Sequence, residues 1–166
     1  MAENEFEEIA ARAIRLQSRT NLLFSFEKMA LRDAVKTSAS TKRFAEGLFD
    51  YVYGKGSMQK RYENFTAALD SLSRKQTRVT TWPLQKVFGF IGDPQQHIFL
   101  KPVVTRTAAK KWGFDFQYHS RPKWNSYQSL LHFAEEIKHE ISDLQPADMI
   151  DLQSFIWVLG SEESPV

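Results

Sequence analysis

The chain has 166 residues, 42% of them apolar and 25% charged, with a formal net charge of +2 and no cysteine. These values suit one globular domain with a real core and argue against wholesale disorder. The missing cysteines exclude a disulfide framework, a thiolate nucleophile and a cysteine-ligated zinc.

The first 73 residues carry helical spacing. Phe6, Ile9, Ala10, Ala13 and Leu16 recur in steps of three and four, with Glu3, Glu5, Glu7 and Glu8 in the opening turns, where the helix dipole favours anions. A second helix is predicted over about 21–36, and the polar run 37–41 breaks it and supplies a cap for a third. The third carries Phe44, Leu48, Tyr51 and Val52 and stops at Gly54-Lys55-Gly56. Ser57 then caps a fourth, along which Met58, Tyr62, Phe65, Leu69 and Leu72 form a seam for a neighbouring helix.

The middle is broken by Pro83, Pro94, Pro102 and Pro122 and by Gly89, Gly92 and Gly113. Trp82-Pro83 can start a short helix, with proline in its first turn. The run 97–100 reads as a short strand. Thr105 reads as the cap of a two-turn helix that Gly113 closes, and the period of two in 114–118 suits a strand with one aromatic face. From Ser126, one face of a long helix collects Tyr127, Leu130, Leu131, Ala134, Ile137 and Ile141, and its other face is acidic. Pro146 is placed to open a last helix. Because 149–159 is apolar on nearly every side, that helix is expected to be buried at the centre.

Net charge hides two opposed blocks. Between Arg74 and Trp124 there are ten Lys or Arg, two acids (Asp93 and Asp115) and nine aromatic rings; from Asn125 to Val166 there are eight acids and one base, Lys138. Cations offset phosphate repulsion and flat rings stack on bases, so a basic, aromatic tract can hold a nucleic-acid strand. The candidate contacts are Arg74, Lys75, Arg78, Arg106, Lys110, Lys111, Trp112, Arg121, Lys123 and Trp124. Among them Arg106, Lys110 and Lys111 stand at i, i+4 and i+5, on one side of a helix. The competing view is that rings at alternating positions, such as Phe114, Phe116 and Tyr118, are core, and that the cations pair with the acidic helix.

Other constellations have simpler explanations. Asp148 and Asp151, three apart at a helix start, could hold a divalent ion or divide acid and base roles. Anions there are also stabilised by unpaired backbone N–H groups, and that account is preferred. Asp115 with Glu136 and Lys138 imitates a nuclease D…E-x-K triad, but the last two lie two apart on a helix and diverge. His97, His119, His132 and His139 have no ligand spacing. Gly54-Lys55-Gly56-Ser57 follows a helix rather than a strand and lacks a full phosphate-loop frame. Neither a catalytic residue nor a cofactor or metal site is expected.

Three stretches taken together are 82–90 (Trp82-Pro83-Leu84 leading to Phe88 and Phe90), 97–102 (His97 to Pro102) and 148–158 (Asp148 to Val158). In this order they resemble a group of bacterial proteins marked by a C-terminal D-M-I-D-x-Q-S-F-I-W-V motif and without an assigned activity. The resemblance implies a self-standing bacterial domain, with an association to DNA handling, and transfers no catalytic residue.

The expectation is therefore a mainly α, single domain over 1–166: helical 1–73, a basic-aromatic insert 74–124, and helical 125–160. It forms a multi-helix bundle around a buried C-terminal helix, with at most a small β element near 97–118. Without a leader or an apolar span, the chain reads as cytoplasmic. Expected partners are DNA or RNA through the tract, or another protein through the acidic helix 126–144, and no membrane. An enzyme using Asp148 and Asp151 ranks third. The oligomeric state is left open.

Overall fold

A computed structural model describes residues 3–73 and 77–161. Among them are eight α-helices, one 3-10 turn and no strand: α1 (Glu3–Arg19), α2 (Ser25–Ala34), α3 (Ser38–Tyr53), α4 (Met58–Asp70), α5 (Trp82–Gly92), α6 (Pro102–Trp112), α7 (Trp124–Glu140), the 3-10 turn Ser142–Leu144, and α8 (Met149–Gly160). The fold is mainly α. No helix among the described residues is long and apolar enough to cross a membrane. The chain divides into two compact units, residues 1–88 and 89–166.

The first unit is built where the helical spacing predicts. α1 packs on α2 and α3, and α3 on α4. Gly47 makes the α3–α4 approach possible, since a Cβ there would lie 2.8 Å from the Ala68 Cβ. The seam is aromatic: Tyr51 stacks on Phe65 at 4.9 Å, and Phe44 meets Phe65 at 6.3 Å and Phe88 edge-on at 5.9 Å. Thr37 caps α3 and Ser57 caps α4, each hydroxyl accepting from the backbone N–H three residues on. The turn between them carries no phosphate-loop geometry. It is closed by the buried Arg61, whose guanidinium donates to the Gly56 and Tyr51 carbonyls at 3.1 and 2.8 Å. The Tyr51 bond satisfies a carbonyl at the end of α3 that the helix leaves unpaired.

Within the second unit, α8 packs on α6 and α7. Gly160 lets the end of α8 approach α6 closely: a Cβ there would overlap the Val104 carbonyl oxygen. The run 97–100 is buried but forms no strand. Its Ile98 N–H donates instead to the Tyr127 hydroxyl at 3.2 Å. Burial pushes that phenol well above its usual titration range, so it remains a neutral hydrogen-bonding group.

Three sequence expectations are corrected here. The run 114–118 is no strand, although its alternation is real: Phe114, Phe116 and Tyr118 are half-buried and Asp115 and Gln117 exposed. Its amides find partners without a sheet. The Gln117 and His119 N–H groups donate to the Ser129 and Ser126 hydroxyls of α7 at 3.1 and 3.0 Å, and the Phe116 and Tyr118 N–H groups donate to carbonyls two residues back. Thr105 is not a cap, because α6 already starts at Pro102 with Lys101 before it, and Thr105 is buried in the helix.

The third correction concerns α8, which is not a buried central helix. Met149, Leu152, Gln153, Ile156 and Gly160 are buried, whereas Ile150, Trp157 and Val158 are 44%, 42% and 57% exposed. A helix apolar all round gives no sign of which stripe is covered. Its outer stripe is partly shielded by Lys101, whose ammonium lies 4.4 Å from the centre of the Trp157 ring.

Candidate functional site

The outward face of α6 is set by helical spacing. Val103, Arg106, Thr107 and Lys110 follow at i, i+3, i+4 and i+7, and Val104, Thr105, Ala108 and Ala109 turn inward and are buried. Gly113 ends the helix in the left-handed conformation (φ 84°), where a side chain would be strained. The reversal returns the chain toward α6, and the Phe114 N–H donates to the Ala109 carbonyl at 2.9 Å. Between α6 and the returning segment runs a groove of about 510 Å³, lined by Val103, Arg106, Thr107, Ala109, Lys110, Phe114 and Phe116.

Its rings are held from behind. Phe114 stacks on the buried Phe133 at 4.9 Å and 26°. Phe116 leans on Tyr118 at 6.1 Å, and the Arg106 guanidinium lies 5.1 Å from the centre of the Tyr118 ring. Arg106 is thus oriented by a cation–π contact rather than by a carboxylate. Lys110 and Lys111 sit in the last turn of α6, where the negative end of the helix dipole also favours them. The groove joins one guanidinium, one ammonium and two apolar rings. It can take an anion beside a flat, apolar group.

The ten predicted contacts separate. Arg106 and Lys110 line the groove, and Lys111 follows on α6, exposed. Trp112 does not: its indole N–H donates to the Glu136 carboxylate at 2.8 Å, and its ring packs edge-on against Phe133 and Phe155. It is a structural contact between α6 and α7. Trp124 packs edge-on against Tyr127 at 5.9 Å and is half-buried. Arg121 and Lys123 are exposed on the loop before α7 and do not line the groove. Arg78 is exposed in the first unit. Arg74 and Lys75 lie outside the described residues.

The tract meets the acidic helix through the Trp112–Glu136 hydrogen bond, which is not the expected pairing of its cations. Among the described residues, no salt bridge joins Arg106, Lys110, Lys111, Arg121 or Lys123 to an acid of α7. The residues that the sequence reading missed as site residues are Val103, Thr107, Ala109, Phe114 and Phe116. The i, i+3, i+4, i+7 spacing through Arg106 and Lys110 is the signal for the first two. Nothing local separates a rim phenylalanine from a core one.

The remaining candidates are structural. Asp148 caps α8, its carboxylate accepting from the Ile150 and Asp151 N–H groups at 2.8 and 3.3 Å, and Asp151 accepts from the Ala147 N–H at 2.7 Å. Both carboxylates serve the helix start, as the preferred account holds. No group of three metal-ligating side chains occurs among the described residues. No protein-family model, curated protein or solved structure matches the chain, so the functional reading rests on the groove alone.

Proposed function

We propose that the protein is a nucleic-acid-binding module whose contact site is the groove on α6. The observation that carries this reading is the meeting of Arg106 and Lys110 with Phe114 and Phe116 around one concavity. Phosphates need reachable cations, and among the described residues no carboxylate competes for these two within ion-pair distance. The rings offer apolar planes beside the cations, the combination that strand-binding grooves use.

A fluorescence titration with labelled oligonucleotides at two salt concentrations tests the reading. Replacing Arg106, Lys110 and Lys111 together with Ala should weaken binding to every sequence about equally. It should also make the slope of log affinity against log salt shallower by about 2 to 3, from roughly 0.7 to 0.9 per lost phosphate contact. An intact protein that binds nothing at low salt, or a triple variant with an unchanged slope, would overturn the proposal. The acidic face of α7 would then become the surface to test against protein partners.

A further inference from the structure

We infer that the groove receives an unpaired base, so that the protein prefers single strands to duplex; this rests on the nucleic-acid reading above and adds the class of ligand. Shape is the first argument. A helix that reads duplex DNA must stand proud of its surroundings to enter the major groove. Here the exposed face of α6 is one side of a concavity, and Phe114 and Phe116 form the other. At about 510 Å³ the groove has the capacity of a small-molecule site. It suits a nucleotide, not an intact base pair with both backbones.

Charge is the second argument. Two cations line the groove, with Lys111 beside them. Tight duplex binders commonly neutralise about six to ten phosphates. Two or three cations suit a short contact on one strand, provided that stacking adds to it.

The third argument is the preparation of the rings. The back of Phe114 is covered by Phe133 in a near-parallel stack, so a base laid on its free side would continue an existing column. The segment carrying both rings is anchored through the Ser126 and Ser129 hydroxyls and the Ala109 carbonyl. Little ordering is left for binding to impose. Thr107 is the sole neutral polar side chain among the lining residues. With so few groups to read base edges, stacking should be tolerant of base identity.

Anisotropy titrations should compare four labelled ligands of equal length: oligothymidylate, oligouridylate, an abasic strand with the same phosphates, and a duplex. The expected result is binding of both normal strands about tenfold or more tighter than the duplex and the abasic strand. Phe114→Leu with Phe116→Leu should remove that advantage, bringing the normal strands to the affinity of the abasic one; Phe116→Leu alone, checked by circular dichroism, serves if the pair unfolds. Equal or tighter binding of the duplex, or an abasic strand as good as a normal one, would overturn the inference and leave the broader reading standing. If no ligand binds the native protein at low salt, both fall.

Discussion

Lys86 shows how one residue can hold opposed forces inside a helical core. It is fully buried on α5, donates to the Tyr51 hydroxyl, and has its ammonium 5.1 and 4.9 Å from the ring centres of Tyr51 and Tyr62. The rings favour the cation, but burial removes its water, and the second effect dominates: the pKa falls well below the ordinary 10.5. Between the lowered folded value and 10.5 the unfolded chain holds the proton that the folded chain has released. Stability should therefore rise with pH across that window, by at most about 1.4 kcal/mol per unit. The penalty is complete below the folded pKa. Above about pH 10 ionisation of tyrosines in the unfolded chain opposes the gain, since burial raises the Tyr127 phenol. Urea denaturation from pH 7 to pH 10 should show the rise, and Lys86→Met should flatten it; a variant with the same slope as the native protein would contradict the assignment.

At the scale of elements, the segment after α6 depends on α7 for its conformation. Serine is a mediocre helix former, yet Ser126 and Ser129 sit on the buried side of α7 because each hydroxyl accepts a backbone N–H of the 114–119 segment. Replacing both with Ala leaves two amides without partners, at a cost of about 1–3 kcal/mol each if they stay buried. The double variant should lose stability in thermal melts and weaken strand binding severalfold, although neither serine lines the groove. Unchanged binding in a destabilised but folded variant would show that the position of the rings does not matter. The two serines also explain why a period of two appears here without a sheet. Alternation records which side chains face inward, and the hydrogen-bond partner can be a helix.

At the scale of the whole molecule, charge is divided between the units. Residues 89–166 carry seven bases and ten acids, a net charge of −3, whereas residues 1–88 carry fifteen bases and ten acids, a net charge of +5. The groove therefore belongs to a unit whose overall field repels phosphates, so its attraction is local and depends on Arg106 and Lys110. Glu135 and Glu140 are exposed on α7. Glu135→Gln with Glu140→Gln should tighten strand binding a few-fold at low salt, with the gain vanishing as the Debye length shrinks to about 3 Å at molar salt. An equal effect at both salt concentrations would point to a contact rather than a field.

The amino-acid sequence by itself determined the helical class, the caps at Thr37 and Ser57, the stop at Gly113 and the outward placement of Arg106 and Lys110. Each depends on periodicity or on chemistry within a few residues, and such interactions are complete within one element. Tertiary structure decided which side of α8 is covered, that Trp112 is tied to Glu136, and that Phe114 and Phe116 edge a groove instead of filling a core. Burial of a residue depends on what arrives from elsewhere in the chain. An aromatic ring offers the same apolar surface to a protein core as to a ligand, so only the packed neighbours distinguish the two.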